Sequence, residues 1–145
     1  MPVIRQAGPE DADQVAGLAA ELAQSFTFRR AGFDVSYPAL LADEDARVLV
    51  AADDGDCVGY LLGFRHLTFF ANGPVGWVEE VLVRDERRGR GIGRGLMSAF
   101  ERWAAARGCT MVALATRRAA PFYLALGYEE SAAYMRKVLS REATR

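Results

Sequence analysis

Apolar residues recur along this 145-residue chain with two periods, about 3.6 and about two residues, and the switches between them mark out its elements. Val3 to Arg5 reads as a short first strand. Gly8-Pro9-Glu10-Asp11 then reads as a helix start, with proline in the first turn and acids at the positive end of the helix dipole. Val15, Leu18, Ala19, Leu22 and Phe26 follow at helical spacing and predict one face laid on a core. Residues 25–36 break that period and read as a loop, with a second short helix over about 37–43.

The period then shortens. R-V-L-V-A-A-D (47–53) and D-C-V-G-Y-L-L-G-F-R (56–65) flank Asp54-Gly55, a pair suited to a hairpin turn whose central residues need positive φ. The second of these strands runs to about Leu67 and leads into the turn-rich connector T-F-F-A-N-G-P. Residues 76–83 predict the next strand, followed by a glycine-rich loop and a helix. Ile92, Leu96, Phe100 and Trp103 share one face of that helix, while Arg94, Ser98, Glu101 and Arg102 mostly face away, and Gly108 closes it. T-M-V-A-L-A (110–115) is a short apolar strand, and a brief helix closed by Gly127 comes next. Two strands near 128–131 and 134–139 and a polar tail complete the reading. Hairpin strands followed by a β-α-β-α-β half predict an α/β or α+β fold with a mixed sheet, and the length predicts a single domain over 1–145.

Composition narrows the function classes. Eighteen basic residues face nineteen acidic ones, which argues against nucleic acid as a partner. Two cysteines outside any C-x-x-C pair and one histidine do not support a metal site. The N-terminus lacks the apolar run of a signal peptide or membrane span, and two thiols suit a reducing compartment, so the expectation is a cytoplasmic protein without a membrane partner. Seventeen of the eighteen basic residues are arginines, whose planar guanidinium grips phosphate bidentately.

Several of those arginines fall in V-R-D-E-R-R-G-R-G-I-G-R-G (83–95). No lysine stands near to make a nucleoside-triphosphate loop. The dinucleotide spacing fails too, because Arg94 and Leu96 stand three residues after Gly91 and Gly93. What remains is Arg88-Gly89-Arg90-Gly91-Ile92-Gly93 between a strand and a helix. Without Cβ atoms the backbone approaches an anion closely, several N–H groups converge, and the helix N-terminus adds positive charge. The reading is a pyrophosphate cradle, against the alternative of a solvated strand-to-helix turn.

Arg88-x-x-Gly91-x-Gly93 resembles the Q/R-x-x-G-x-G/A signature of the GNAT superfamily of N-acetyltransferases, and V-E-E-V-L-V before it and A-A-P-F-Y-L-A-L-G-Y after it resemble that family's neighbouring segments. The resemblance implies a mixed, mostly antiparallel central sheet flanked by helices and splayed between strands four and five. It implies acetyl-CoA as co-substrate, with Val81, Leu82 and Val83 along the pantetheine arm. Arg88, Gly89, Arg90, Gly91, Ile92, Gly93 and Arg94 would surround the phosphates. Thr116 stands where the family often has asparagine touching the cofactor. A homodimer through the late strands is implied as well.

Acetyl transfer to an amine needs a base, donors for the carbonyl oxygen and a proton for the departing thiolate. Glu79 and Glu80 lie inside W-V-E-E-V-L-V although carboxylates are depleted in strands. On a regular strand only one of them faces the substrate, unless a bulge intervenes. The resemblance makes Glu79 the base, Glu80 a contact for a cationic acceptor, Tyr123 the acid and a backbone N–H near Leu82 the oxyanion donor. Ion pairing of the glutamates within the sheet is the alternative. Arg29 and Arg30 fall in the segment that shapes the acceptor site in this family. The expected activity is acetylation of a small primary amine, with a catalytically inert acyl-CoA sensor or a protein acetyltransferase as the competing readings.

Overall fold

The computed structural model describes residues 1–23 and 25–140. Strand β1 (Val3–Gln6) is followed by a 3-10 turn at Pro9–Asp11, helix α1 (Ala12–Leu22) and helix α2 (Arg30–Ala42). Three long antiparallel strands come next, β2 (Ala46–Asp53), β3 (Asp56–Thr68) and β4 (Gly73–Val83). Helix α3 (Ile92–Ala106), strand β5 (Val112–Leu114) and helix α4 (Ala120–Ala125) follow. The sheet order is β1-β2-β3-β4-β5, antiparallel throughout except for the parallel pair β4–β5. Among the described residues no helix is long and apolar enough to cross a membrane.

Alternation along β2 sends neighbouring residues to opposite faces, and both faces are covered. Val48 and Val50 join Val15, Leu18 and Tyr37 of α1 and α2 on one side. Leu49 and Ala51 join Ile92, Leu96, Met97, Phe100 and Ala104 of α3 on the other. The turn between β2 and β3 has positive φ at both Asp54 and Gly55, as the Asp-Gly pair predicts. An ion pair with its carboxylate buried and its guanidinium partly exposed fixes the N-terminal turn. The Asp11 carboxylate accepts hydrogen bonds from Arg5 at 2.7 and 2.9 Å and from the Gly8 amide at 2.8 Å, which draws β1 onto α1.

Three sequence readings need correction. The expected loop at 25–36 is half helix, because α2 begins at Arg30 rather than near Tyr37. Phe33 stacks on Tyr37 with ring centroids 5.0 Å apart, and Arg30 pairs with Asp34 one turn on, so tertiary burial and local pairing override Gly32 and Ser36. Strand β4 begins at Gly73, three residues earlier than expected, because Thr68 and Gly73 close the hairpin as a pair. The expected strands at 128–131 and 134–139 do not form. No ladder includes those residues, and β5 is only three residues long, so it offers little edge for a further strand.

Candidate active site

The glycine loop lies where the sequence puts it, between β4 and the N-terminus of α3. Gly89 and Gly91 have φ of 76° and 83°, a conformation open to glycine and strained for other residues. Gly91 caps α3, and the first turn closes through Gly95 N–H to Gly91 O at 3.0 Å. Nothing stands within 4 Å of where a Cβ would sit on either glycine, so the space above the loop is open to a ligand. Gly93 is different: a Cβ there would lie 3.1 Å from Phe122, so this glycine lets α4 pack on α3. Arg90 and Arg94 are exposed above the helix start, and Ile92 is buried below it. Arg88 folds back on its own loop, donating from Nε to Val83 O at 3.1 Å and pairing with Asp85 at 2.9 Å.

Strand β4 carries a bulge at Glu79. Leu62 pairs with Glu80 and Gly63 with Val78, leaving Glu79 as the extra residue. The insertion flips the parity of the strand. Before it, Gly76 and Val78 turn toward α3 and bond toward β5, the Gly76 amide donating to Met111 O at 2.9 Å. After it, Val81 and Val83 take over the face toward α3. The ladder phase shows which backbone groups are spent. Arg84 N–H donates to Val58 O at 2.9 Å, so the alternate residues Leu82 and Glu80 also bond to β3. The amide and carbonyl groups of Val81 and Val83 therefore point to the opposite edge, where β5 pairs only with residues 76–78. Beyond residue 78 the β4–β5 pairing has ended, and this edge carries the backbone groups of Val81 and the Val83 amide, while the Val83 carbonyl already accepts from Arg88. The Leu82 amide is itself committed to Tyr60, so the amides that face this edge are those of Val81 and Val83.

The bulge also sorts the two glutamates. Glu80 faces a cavity of about 920 Å³ between the sheet and helices α1 and α2, and Glu79 faces a second one of about 450 Å³. Thr116, Arg117 and Arg136 line both, so the cavities adjoin. Glu80 is half-buried and accepts a hydrogen bond from the Tyr60 hydroxyl at 2.7 Å, whereas Glu79 is exposed. Burial and then the Glu80 charge push the Tyr60 phenol far above its ordinary range, so it stays a donor at neutral pH. Neither glutamate makes an ion pair among the described residues.

Thr116 accepts a hydrogen bond from the Ala119 amide at 3.1 Å, which helps start α4. Tyr123 on α4 is partly buried against Phe122 and Tyr128, edge-on to both rings, and its burial raises the phenol above its ordinary range. It packs at the margin of the α3 core rather than on the wall of either cavity. The loop and the glutamates are therefore joined through β4, while Tyr123 approaches from the α3 side.

Sequence reading missed Tyr60, whose position in V-G-Y-L-L gives no sign that it meets a carboxylate twenty residues on. It also missed the cavity wall built by Phe28 and Phe33, and the arginines 117, 118 and 136. The run T-R-R-A-A-P was legible as a helix start, and its two arginines were the available signal. His66 is exposed, Cys57 buried, and Phe69 and Phe70 stand out at the β3–β4 turn away from both cavities.

Known proteins resemble this arrangement. The family model described as the acetyltransferase (GNAT) family matches residues 16–128. An aminoglycoside N(6')-acetyltransferase type 1 of Stenotrophomonas maltophilia is 34% identical over 140 residues, spanning 90% of this chain and 88% of that protein. An aminoalkylphosphonate N-acetyltransferase of Salmonella typhimurium is 32% identical over 139 residues, with the same two shares. Among solved structures, the aminoglycoside N-acetyltransferase AAC(6')-Iy in complex with CoA superposes with a TM-score of 0.74 at 25% identity, covering 94% of this chain and 99% of that one.

Proposed function

The chain belongs to the acetyltransferase (GNAT) family and is an acetyl-CoA-dependent acyltransferase, and from that premise we propose that it acetylates the primary amine of a small molecule by direct attack in a ternary complex. The observation that carries this reading is Glu80, fastened by Tyr60, facing a large cavity on the strand whose next residues run past the end of the β4–β5 pairing.

In this scheme the open loop at Gly89 and Gly91, with Arg90, Arg94 and the N-terminus of α3, receives the pyrophosphate of acetyl-CoA. The pantetheine arm runs along the free edge of Val81 and Val83, with Leu82 beneath it. Arg88 braces the loop through Asp85 and Val83 and adds charge. Thr116 closes the far side of the gap. The acceptor enters as an ammonium ion, so a cation meets the acidic pair. Glu80 holds it with the carboxylate oxygen that Tyr60 leaves free. Glu79, exposed in the adjoining cavity, takes the proton and passes it to solvent. The amine nitrogen then attacks the thioester carbonyl, and the Val81 amide donates to the developing oxyanion. As the C–S bond breaks the attacking nitrogen releases its second proton to solvent, and Tyr123, kept protonated by its burial, gives its proton to the leaving sulfur and regains one from solvent. The free thiols Cys57 and Cys109 support a cytoplasmic setting, and exposed Tyr134, Met135 and Leu139 in the tail support a homodimer.

The test is thiol release from acetyl-CoA with a panel of amines and mass detection of the product. Acetylated amine is expected. Tight binding of acetyl-CoA without turnover of any amine would make the protein a sensor instead.

A further inference from the structure

We infer that the acceptor is an amphiphilic amine, carrying an apolar, preferably aromatic, body and an anionic group that is a carboxylate or a phosphoryl. The inference rests on the acetyltransferase reading above and names the substrate class of that same site. Three features of the larger cavity carry it.

The first is its wall. Phe28 and Phe33 lie 6.1 Å apart, Phe33 stacks on Tyr37, and Leu22, Phe26 and Leu40 extend the same surface. A polar acceptor would strip water from its own hydroxyls or ammonium groups against this wall and gain no partner in return. An aromatic or branched aliphatic body releases water from both surfaces.

The second is charge. Among the described residues Glu80 is the one acid that lines this cavity, against Arg29, Arg117, Arg118 and Arg136. Glu80 answers a single ammonium group. Further ammonium groups on a polycation would meet arginines, and like charges brought together in a partly desolvated cleft repel. A carboxylate or phosphoryl suits the guanidinium geometry. Arg136 is already set over the apolar wall, with its guanidinium carbon 5.9 Å from the Phe26 ring centroid and Nη2 donating to Ser25 Oγ at 3.2 Å. Arg117 and Arg136 line both cavities, so they stand near the glutamates rather than at a remote rim.

The third is size. At about 920 Å³ the cavity lies at the upper end of the range of about 300–1,000 Å³ that holds drug-sized ligands. A two-carbon amine would leave most of the wall wet.

The experiment compares kcat/KM at saturating acetyl-CoA for phenylalanine, its phosphonate analogue, phenethylamine, spermidine and kanamycin. At least one of the two anionic aromatic amines should exceed phenethylamine by about tenfold or more, the worth of a charge-assisted hydrogen bond, and should exceed the polycations further. Comparing carboxylate with phosphonate identifies the anion. Arg117→Glu combined with Arg136→Glu, both at exposed positions, should reverse the order in favour of spermidine. As a second measurement, 3-phenylpropionate should compete with the amine and not with acetyl-CoA. Equal rates for phenethylamine and both acids, or turnover of the polycations alone, would overturn the inference and leave the acetyltransferase reading standing. Acetyl-CoA binding without turnover of any amine would overturn both.

Discussion

Tyr60→Phe removes one oxygen and leaves the ring, which is 2% exposed, in place. The lost contact is the 2.7 Å hydrogen bond to Glu80 Oε1. A hydrogen bond to an ionised partner contributes about 1.5–3 kcal/mol. Because the carboxylate opens on a water-accessible cavity and water can replace the phenol in part, the loss falls at or just below the floor of that range, about 1–1.5 kcal/mol. At roughly 2.1 cal/mol/K per residue, unfolding entropy for a chain of this length makes each kcal/mol worth about 3 °C. Tm should therefore fall by about 3–5 °C. If Glu80 orients the amine, kcat/KM for the amine should fall about tenfold, a loss of about 1.4 kcal/mol, with KM for acetyl-CoA little changed. A double-mutant cycle isolates the pair: in an Glu80→Gln background, Tyr60→Phe should cost much less than it does alone. The alkaline limb gives a further readout. Tyr60 has its folded pKa raised by burial and by Glu80, so its contribution is complete below about 10, the unfolded value, and is lost as pH rises beyond it. The variant should lose less stability than the parent above that pH, although Tyr37 and Tyr128 are shifted in the same direction. Additive losses in the cycle, or an unchanged Tm and kcat/KM, would refute the reasoning.

Gly63→Ala drives a Cβ into Cε1 of the fully buried Phe100, an overpacking expected to cost about 1–3 kcal/mol by denaturant titration. Adding Phe100→Leu to the same chain should recover part of that loss. Arg90→Ala and Arg94→Ala should each raise the Kd for CoA severalfold in calorimetry, with little change for a phosphate-free pantetheine; equal weakening of both ligands would remove these arginines from the phosphate site. Asp11 is 4% exposed and held below its ordinary 3.8 by the Arg5 guanidinium, so its contribution is present above about pH 4 and is lost as pH falls below it. Asp11→Asn should cost about 2 kcal/mol at pH 7, a figure discounted because Arg5 is partly exposed, and should flatten the acid limb of urea unfolding. Tyr123→Phe should lower kcat more than it changes acetyl-CoA affinity, and equal activity would take Tyr123 out of the mechanism.

The parts of the fold that were legible in the sequence are those where one local rule decides. Asp54-Gly55 demands positive φ at two successive residues, and the hairpin forms there. Ile92, Leu96 and Phe100 fall on one helical face and are all buried. Gly108 and Gly127 close their helices with positive φ. The glycine turn announced its positive-φ backbone and its place before α3 through the type and spacing of its residues alone. Misses occurred where local signals were weak or in conflict. Gly32 argued against helix while Phe33 and Tyr37 argued for it, and only the cavity floor beneath them gave the second argument its weight. The tail alternates as a strand does, yet a strand exists only with a neighbour to bond.

The sequence by itself determined the order of elements as far as α4, the glycine turn at Gly89–Gly93 and the presence of two carboxylates in one strand. Tertiary structure alone decided how those carboxylates differ. A single inserted residue at Glu79 sends one to the open cavity and fixes the other on Tyr60, and turns Val81 and Val83 toward the edge beyond the β4–β5 pairing. It also gathered arginines 29, 117, 118 and 136 around an apolar wall. Those residues share no period and lie as far as 107 positions apart in the chain. Their meeting depends on how the sheet and helices pack, a long-range matter on which local spacing is silent.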